Sequence, residues 1–331
     1  MNVPIRVFMI TSEWPSPEHP HAAPYIVRQV DFLRRVGVDV EVFAFRGAKN
    51  PMNYMKAWRQ VHQKLKQKRY DLIHAQFGQS GLLALPKRVP FLVTFHGTDV
   101  QGDKRADGRL TFAGKVLQRV SQLVALRADA VIIVSDNMRK DLPSSVSAPI
   151  LPTGIDLDFV ACVPKEEARS QLGFPLTERL ILFVGDPASV IKRYDLARQA
   201  VAIVNKTLPA KLIVGCRMTN REIILLMNAC DVLVVTSLHE GSPAVVKEAL
   251  ACNLPIVSVA VGDVPLRLQN IEGCEVCSDD RPETISASLE RVLRRGQRIR
   301  GRETVKNLDE KVLTEKLISI YRSIMATNKR R

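Results

Sequence analysis

The chain has 331 residues, 46% of them hydrophobic, enough for two α/β domains with separate cores. Nothing approaches the roughly twenty uninterrupted apolar residues of a membrane span, and the first apolar run, Ile5 to Ile10, lacks the flanks of a secretory signal, so a cytoplasmic, unexported protein is expected. The formal net charge is +14, and residues 1–155 carry 22 Lys and Arg against 12 Asp and Glu, which points the first half toward an anionic partner.

In chain order, short β-branched runs alternate with amphipathic stretches, the signature of βαβ units and parallel sheets. The first half predicts strands at 6–11, 39–45, 71–75, 90–95 and 130–134, with helical patterns at 25–36 and 115–127. No acid intervenes between Glu41 and Asp71, and the stretch 52–70 carries Lys56, Arg59, Lys64, Lys66, Lys68 and Arg69. Tyr54, Trp58, Val61 and Leu65 recur there at helical spacing, giving an apolar stripe beside a cationic face. Either the stripe packs on a sheet, or the helix lies on an anionic membrane surface as a peripheral inner-leaflet contact. No recognition fold or aromatic base platform accompanies the charge, so nucleic acid is not expected.

The segment 142–164 holds Pro143, Pro149, Pro152 and Pro164 and no long periodic pattern, which places a domain boundary near Pro164. The alternation then restarts with strands at 179–184, 211–214, 231–236 and 255–259 and helices at 194–206, 221–230 and 244–252. Two further helices, 283–295 and 308–324, are expected to close the second domain, giving domains 1–164 and 165–331. The six cysteines all lie in the second half at irregular spacing, and the Cys274–Cys277 pair has no partner pair, so reduced thiols are expected.

In open α/β sheets ligands bind outside the carboxyl ends of the strands. Three predicted strands lead into polar, small residues: His96-Gly97-Thr98-Asp99, Gly185 through Lys192-Arg193, and Ser237-Leu238-His239-Glu240-Gly241-Ser242-Pro243. Ser242-Pro243 reads as a hydroxyl N-cap followed by proline at the first helical position. Free backbone N–H groups and the helix dipole would then lie beside Glu240 and Gly241, ready for phosphate, with Ala244 in the first turn. Gly241 allows close approach to the backbone, and Glu248 lies about one and a half turns further in, where a carboxylate can hold a ribose diol.

The run from His239 to Pro243 and on through Lys247-Glu248-Ala249 resembles the paired-glutamate signature of the retaining family 4 glycosyltransferases, which have the GT-B fold. The likeness continues through Leu254-Pro255-Ile256-Val257 and Gly262-Asp263, and backward through Asn228-Ala229-Cys230-Asp231-Val232. Pro152-Thr153-Gly154-Ile155-Asp156 is similar to that family's interdomain stretch, and His96-Gly97-Thr98-Asp99 to its first-domain histidine loop. The resemblance implies two Rossmann-like domains facing each other across a cleft, with the acceptor on the first and a UDP- or GDP-sugar on the second. It implies that Glu248 binds the ribose, Glu240 meets the donor sugar, Lys192 neutralises the diphosphate, and His96 sits over the reacting sugar. Gly185, Gly241, Ser242, Pro243 and Ala244 would line the donor, and Glu13 and Asp99 the acceptor side. It implies no metal cofactor, and a hexosyl transfer to a glycan or lipid-linked acceptor of the polysaccharide or lipopolysaccharide kind.

Two positions depart from that pattern. Asp186 stands where the family has an arginine after the glycine, so Arg193 is expected to share the phosphate with Lys192. His21-Ala22-Ala23-Pro24-Tyr25 replaces a glycine-rich loop with a stiffer, bulkier one. Asp156-Leu157-Asp158 has the form of a metal-binding D-x-D but lacks its context. A nucleotide-sugar epimerase of the same architecture, or a non-catalytic nucleotide-sugar-binding protein, would share these residues. Release of sugar without an acceptor marks the first, and binding without turnover the second.

Overall fold

The computed structural model describes residues 4–20, 22–48, 50–103 and 109–328, so His21 of the expected stiff loop lies outside them. The chain divides into two compact units, residues 1–154 with 310–331, and residues 155–309.

The first unit runs β1 (Arg6–Thr11), α1 (Pro24–Arg35), β2 (Asp39–Ala44), α2 (Pro51–Gln67), β3 (Leu72–Gln76), α3 (Gly78–Leu82), β4 (Phe91–Phe95), α4 (Thr98–Gln101), α5 (Phe112–Arg127) and β5 (Ala130–Ile133). Its five strands are all parallel, in the order β2-β1-β3-β4-β5. Inner strands covered on both faces read as continuous apolar runs, and β3 and β4 are buried along their whole length. Those runs are what made the strands legible. One face of the sheet packs Ala57 and Val61 of α2, Leu83 after α3, and Val124 and Ala125 of α5. The opposite face packs Ile26, Val30 and Leu33 of α1 with Leu313, Leu317, Tyr321 and Ile324 of the C-terminal helix Glu310–Asn328.

The second unit runs α6 (Lys165–Leu172), β6 (Leu180–Val184), α7 (Tyr194–Val204), β7 (Lys211–Gly215), α8 (Asn220–Ala229), β8 (Val232–Val235), α9 (Ala244–Ala251), β9 (Ile256–Ser258), α10 (Val264–Leu268), β10 (Glu275–Val276) and α11 (Pro282–Arg295). Its strands are also parallel, in the order β10-β9-β8-β6-β7. Thr219 and Glu222 form a reciprocal capping box at the start of α8.

Two expectations about the boundary change. The division falls between Gly154 and Ile155, not at Pro164, and the last helix belongs to the first unit, not the second. The reason is packing that composition does not show. Leu151 lies in the first unit's core, whereas Ile155 and Val160 lie in the second's, and the Ile155 N–H donates to Leu308. Gly154 is required at the end of the first unit, because a Cβ there would meet the Glu310 carboxylate at 2.2 Å.

The basic stretch settles as α2, capped by Asn50, whose side chain accepts from the Met52 N–H. Its stripe turns inward: Val61 is fully buried, and Tyr54 and Leu65 pack against the same core. Lys64 and Lys68 both bind Glu41, at 2.8 and 2.9 Å, and Tyr70 donates to the same carboxylate. These contacts, Lys64 first among them, hold the Glu41 carboxyl at about 2. Two of the six cations are therefore already paired. Among the described residues no helix is long and apolar enough to cross a membrane.

Candidate functional site

Three loops gather at the carboxyl ends of β6, β8 and β9 in the second unit. Residues 185–193 follow β6, and the Ile191 carbonyl accepts from Leu238 N–H in the loop after β8. Thr236 closes the same junction, its hydroxyl 2.9 Å from the Lys192 carbonyl and 3.1 Å from that of Arg193. Across these loops Lys192 Nζ donates to Glu240 Oε1 at 2.6 Å, and both side chains stay partly open to solvent. The pair expected on donor phosphate and donor sugar is therefore in direct contact. Gly185 supports the arrangement: its φ is +149°, and a Cβ there would press on the Lys192 side chain at 3.1 Å.

The loop after β9 supports Glu240 from below. Gly241 accepts through its carbonyl from Asp263 N–H at 3.1 Å. Gly262 lies opposite with φ +57°, and a Cβ there would come within 2.6 Å of the same carbonyl, so glycine is required. Asp263 also accepts from the Ser242 hydroxyl at 2.8 Å and from Arg267 Nε at 2.9 Å.

Here the expected cap is corrected. Helix α9 begins at Ala244 with Pro243 as its N-cap, and no side chain caps it. The Ser242 hydroxyl is engaged by Asp263 and by the fully buried Lys247, 3.1 Å away, and this contact removes it from the helix start. Glu248 is buried on the first turns of α9, as its position after Pro243 implied.

Arg193 is engaged by neighbouring loops of the second unit. Its Nε donates to the Thr236 carbonyl at 2.7 Å, and its other end pairs with Asp280. Arg193 takes a left-handed backbone as N-cap of α7, and this geometry turns its guanidinium onto the loop wall. Its role in the structure is to tie Thr236 to Asp280. Asp186 folds back on its own loop, accepting from Ala188 N–H at 2.9 Å. Asp156 does likewise, accepting from the N–H groups of Asp158 and Phe159, so this carboxylate closes a turn. All six cysteines are free thiols; Cys230, Cys252 and Cys277 are buried.

In the first unit, His96 follows β4 and its ring lies between Tyr25 and Phe77, with centroids 5.1 and 4.8 Å away. His96 Nε2 meets Gln76 Oε1 at 2.7 Å, and the Gln76 amide donates to Gln29 at 2.8 Å, which makes Nε2 the protonated nitrogen. Gln76 also lies beside His74, whose two nitrogens meet Tyr321 and Thr94. Burial pushes the His74 pKa down to about 3, so its ring is neutral. Phe77 holds φ +75°, an unfavourable backbone for a bulky residue, and that strain carries its ring onto His96. Helix α1 starts at Pro24 behind Ala23, which takes a left-handed backbone as its N-cap, and Tyr25 follows in the first turn. Gln76 and Phe77 escaped the sequence reading, although Gln76 is a polar residue at a strand end, the same signal that found His96.

Asp99 is not on an acceptor surface. It is 3% exposed, and its carboxylate accepts from the backbone N–H groups of Gly78, His96 and Gly97 at 2.9–3.1 Å. It braces the loops after β3 and β4. Glu13, by contrast, stays at the surface beyond β1, and desolvation by its surroundings raises its pKa.

Burial pushes Asp99 from the ordinary 3.8 up to about 6, against the opposing pull of the N–H donors. A carboxyl raised in the folded state stabilises the fold fully below its unfolded pKa and loses that contribution as pH rises through its folded pKa. The window runs from about pH 4 to about 6, and the effect is about 3 kcal/mol. Relative to Asp99→Asn, the wild-type chain should therefore lose stability across that window, measured by urea midpoints at matched pH. A constant difference between the two chains from pH 4 to 7 would exclude this titration.

Comparisons with known proteins bear on the geometry directly. Residues 4–159 match the family described as Glycosyltransferase Family 4, and residues 213–295 match Glycosyl transferases group 1. A relative in Bacillus subtilis (strain 168), named as the teichuronic acid biosynthesis glycosyltransferase TuaC, is 25% identical over 326 residues, covering 78% of this chain and 82% of its own. Sucrose-phosphate synthase from Thermosynechococcus elongatus has a similar fold, with TM-score 0.84 at 16% identity, covering 98% of this chain and 100% of that one. The Anabaena protein HepE in complex with UDP-glucose has TM-score 0.66 at 15% identity, covering 98% and 99%. Two parallel five-stranded sheets, and one family match on each unit, have a single reading: the chain belongs to the family 4 glycosyltransferases of GT-B fold, and it is a glycosyltransferase that works on nucleotide sugars.

Proposed function

We propose that this enzyme moves a hexose from a UDP- or GDP-sugar to a glycan or lipid-linked acceptor, with retention of anomeric configuration and without a metal ion. The observation that carries the proposal is the Lys192–Glu240 contact at the carboxyl ends of β6 and β8, with buried Glu248 on the adjoining helix. Glu248 holds the ribose diol. Lys192 and the backbone at the start of α9 neutralise the diphosphate, the work that a metal performs in other transferases. Glu240 stabilises positive charge developing on the donor sugar, and His96, held by Gln76, serves substrate at the carboxyl end of β4. Arg193 contributes by fixing the loop that carries Lys192. The UDP-glucose complex of HepE supports a uridine donor, and the teichuronic acid relative supports a polysaccharide product; a lipopolysaccharide is the other product class proposed. The enzyme then works at the inner face of the plasma membrane, where a lipid-linked acceptor is met. Glu13 lies on the acceptor side.

The test is a thermal-shift panel of UDP, GDP, ADP and dTDP sugars, with and without EDTA. A true donor at a hundred times its dissociation constant adds about 2.7 kcal/mol of stability. The shift should survive EDTA in the native chain and largely vanish in Glu248→Ala. Loss of the shift on chelation overturns the metal-free mechanism, and a full shift in Glu248→Ala overturns the ribose assignment.

A further inference from the structure

The membrane-surface reading above began from the cations of α2, and the fold redirects it. Tyr54, Val61 and Leu65 of the α2 stripe pack on the sheet while Trp58 stays partly exposed, and two of the helix's lysines are held by Glu41. On α5 the pattern is reversed. Gly114, Ser121, Val124 and Ala125 face inward, while Phe112, Val116, Leu123 and Leu126 stand 82%, 48%, 40% and 54% exposed. These four recur at spacings that bring them to one side of a helix. A folded protein seldom leaves four large apolar side chains on one helix face to water unless something binds them.

The residues flanking this row are cationic. Lys115 and Arg127 are exposed beside it, Arg119 is exposed within it between Val116 and Leu123, and the whole of α5 contains no Asp or Glu. An apolar row edged by Lys and Arg, with no acid, is the composition of a helix that lies in a membrane interface. Helix α2 belongs to the same layer, since its buried residues share one core with those of α5. Its first turns expose Met52, Met55 and Trp58 beside Lys56 and Arg59, extending the same chemistry across that side of the unit.

We infer that α5, with the first turns of α2, is the surface by which this enzyme rests on an anionic lipid bilayer. The inference rests on the inner-leaflet reading and names the element responsible. A second copy of the chain is a poor fit for this face, because self-pairing would bring two all-cation helices together. An anionic headgroup layer supplies both the missing negative charge and an apolar boundary for Phe112.

The experiment is co-sedimentation of the full chain with phosphatidylcholine vesicles, with and without phosphatidylglycerol. It compares the native chain with Phe112→Ser/Val116→Ser/Leu123→Ser, changes at solvent-facing positions. The native chain should bind only the anionic vesicles and release as the Debye length falls from about 10 Å at 0.1 M salt to about 3 Å at 1 M. The triple variant should bind at least about tenfold more weakly, equivalent to about 1.4 kcal/mol. Phe112→Trp should shift its emission to the blue on those vesicles, a readout that does not depend on the triple variant folding. Equal binding by native and triple variant, or an unshifted tryptophan, overturns the α5 assignment and leaves the inner-leaflet reading intact. No binding of the native chain to anionic vesicles overturns that reading as well. A dimer in solution that the triple variant dissolves would instead assign the face to a second copy and overturn the lipid proposal.

Discussion

Glu240→Gln should lower kcat by roughly 10²- to 10³-fold, about 3–4 kcal/mol of transition-state stabilisation. The substitution keeps the volume of the side chain and an oxygen able to accept from Lys192, 2.6 Å away. What it removes is the negative charge. In the ground state that charge serves mainly Lys192, and a bound diphosphate competes for the same cation. As the glycosidic bond breaks, positive charge grows on the sugar, and only then does the carboxylate become irreplaceable. An interaction that strengthens in the transition state appears in kcat and leaves donor affinity nearly unchanged. Steady-state turnover combined with direct donor titration separates the two quantities. An unchanged kcat would remove Glu240 from the mechanism. A loss confined to affinity would make it a binding residue. Lys192→Ala offers the contrast, because it removes the group proposed to meet the phosphates in both states and should weaken binding and turnover together.

Both sheets were legible because parallel strands, buried on each side, must be written as unbroken apolar runs, and such runs punctuate the sequence. The site was legible for a related reason. Polar residues directly after those runs fall at the carboxyl edge of a sheet, so the positions of Lys192, Glu240 and His96 at strand ends could be named before any coordinates. Periodicity identifies an apolar face without saying what covers it. It drew a stripe on α2, which the sheet covers. It overlooked the row on α5, where Phe112, Val116 and Leu123 alternate with inward-facing apolar positions, so apolar residues occur on both sides of the helix. The last helix has an apolar face that any neighbouring sheet could bury, and only tertiary contact assigned Leu317 and Tyr321 to the first unit. Partners distant in sequence were equally invisible. Asp280 lies 87 residues from Arg193, and without it the arginine reads as a second phosphate ligand. The Ser242-Pro243 pair has the composition of a cap, but Asp263 on another loop competes for the hydroxyl and wins.

The same blindness hid a buried charged group of the second unit. Arg169 lies in α6 among Lys165, Glu166 and Glu167, a composition that reads as a solvated helix, yet its side chain is fully buried. Its Nη1 donates to the carbonyls of Pro175, Leu176 and Glu178 at 2.8–3.0 Å, and its Nε to that of Ala229 at 2.9 Å. Its Nη2 pairs with Asp231 at 2.9 Å, and Asp231 also accepts from Leu180 N–H at the start of β6 and from Lys165. One guanidinium thus fastens the connection after α6, the end of α8 and the entries to β6 and β8. Arg169→Ala would leave four carbonyls and the half-buried Asp231 carboxylate without this donor. Removing one partner of a buried pair typically costs about 3–5 kcal/mol, a fall in thermal midpoint on the order of 10 °C for a unit of this size. Arg169→Lys should recover only part of the loss, because a single ammonium cannot reach carbonyls spread around a planar fork. Calorimetry on the full chain decides the matter. A midpoint within about 2 °C of native for Arg169→Ala, or full recovery in Arg169→Lys, would show that the β6–β8 junction is held chiefly by its apolar core.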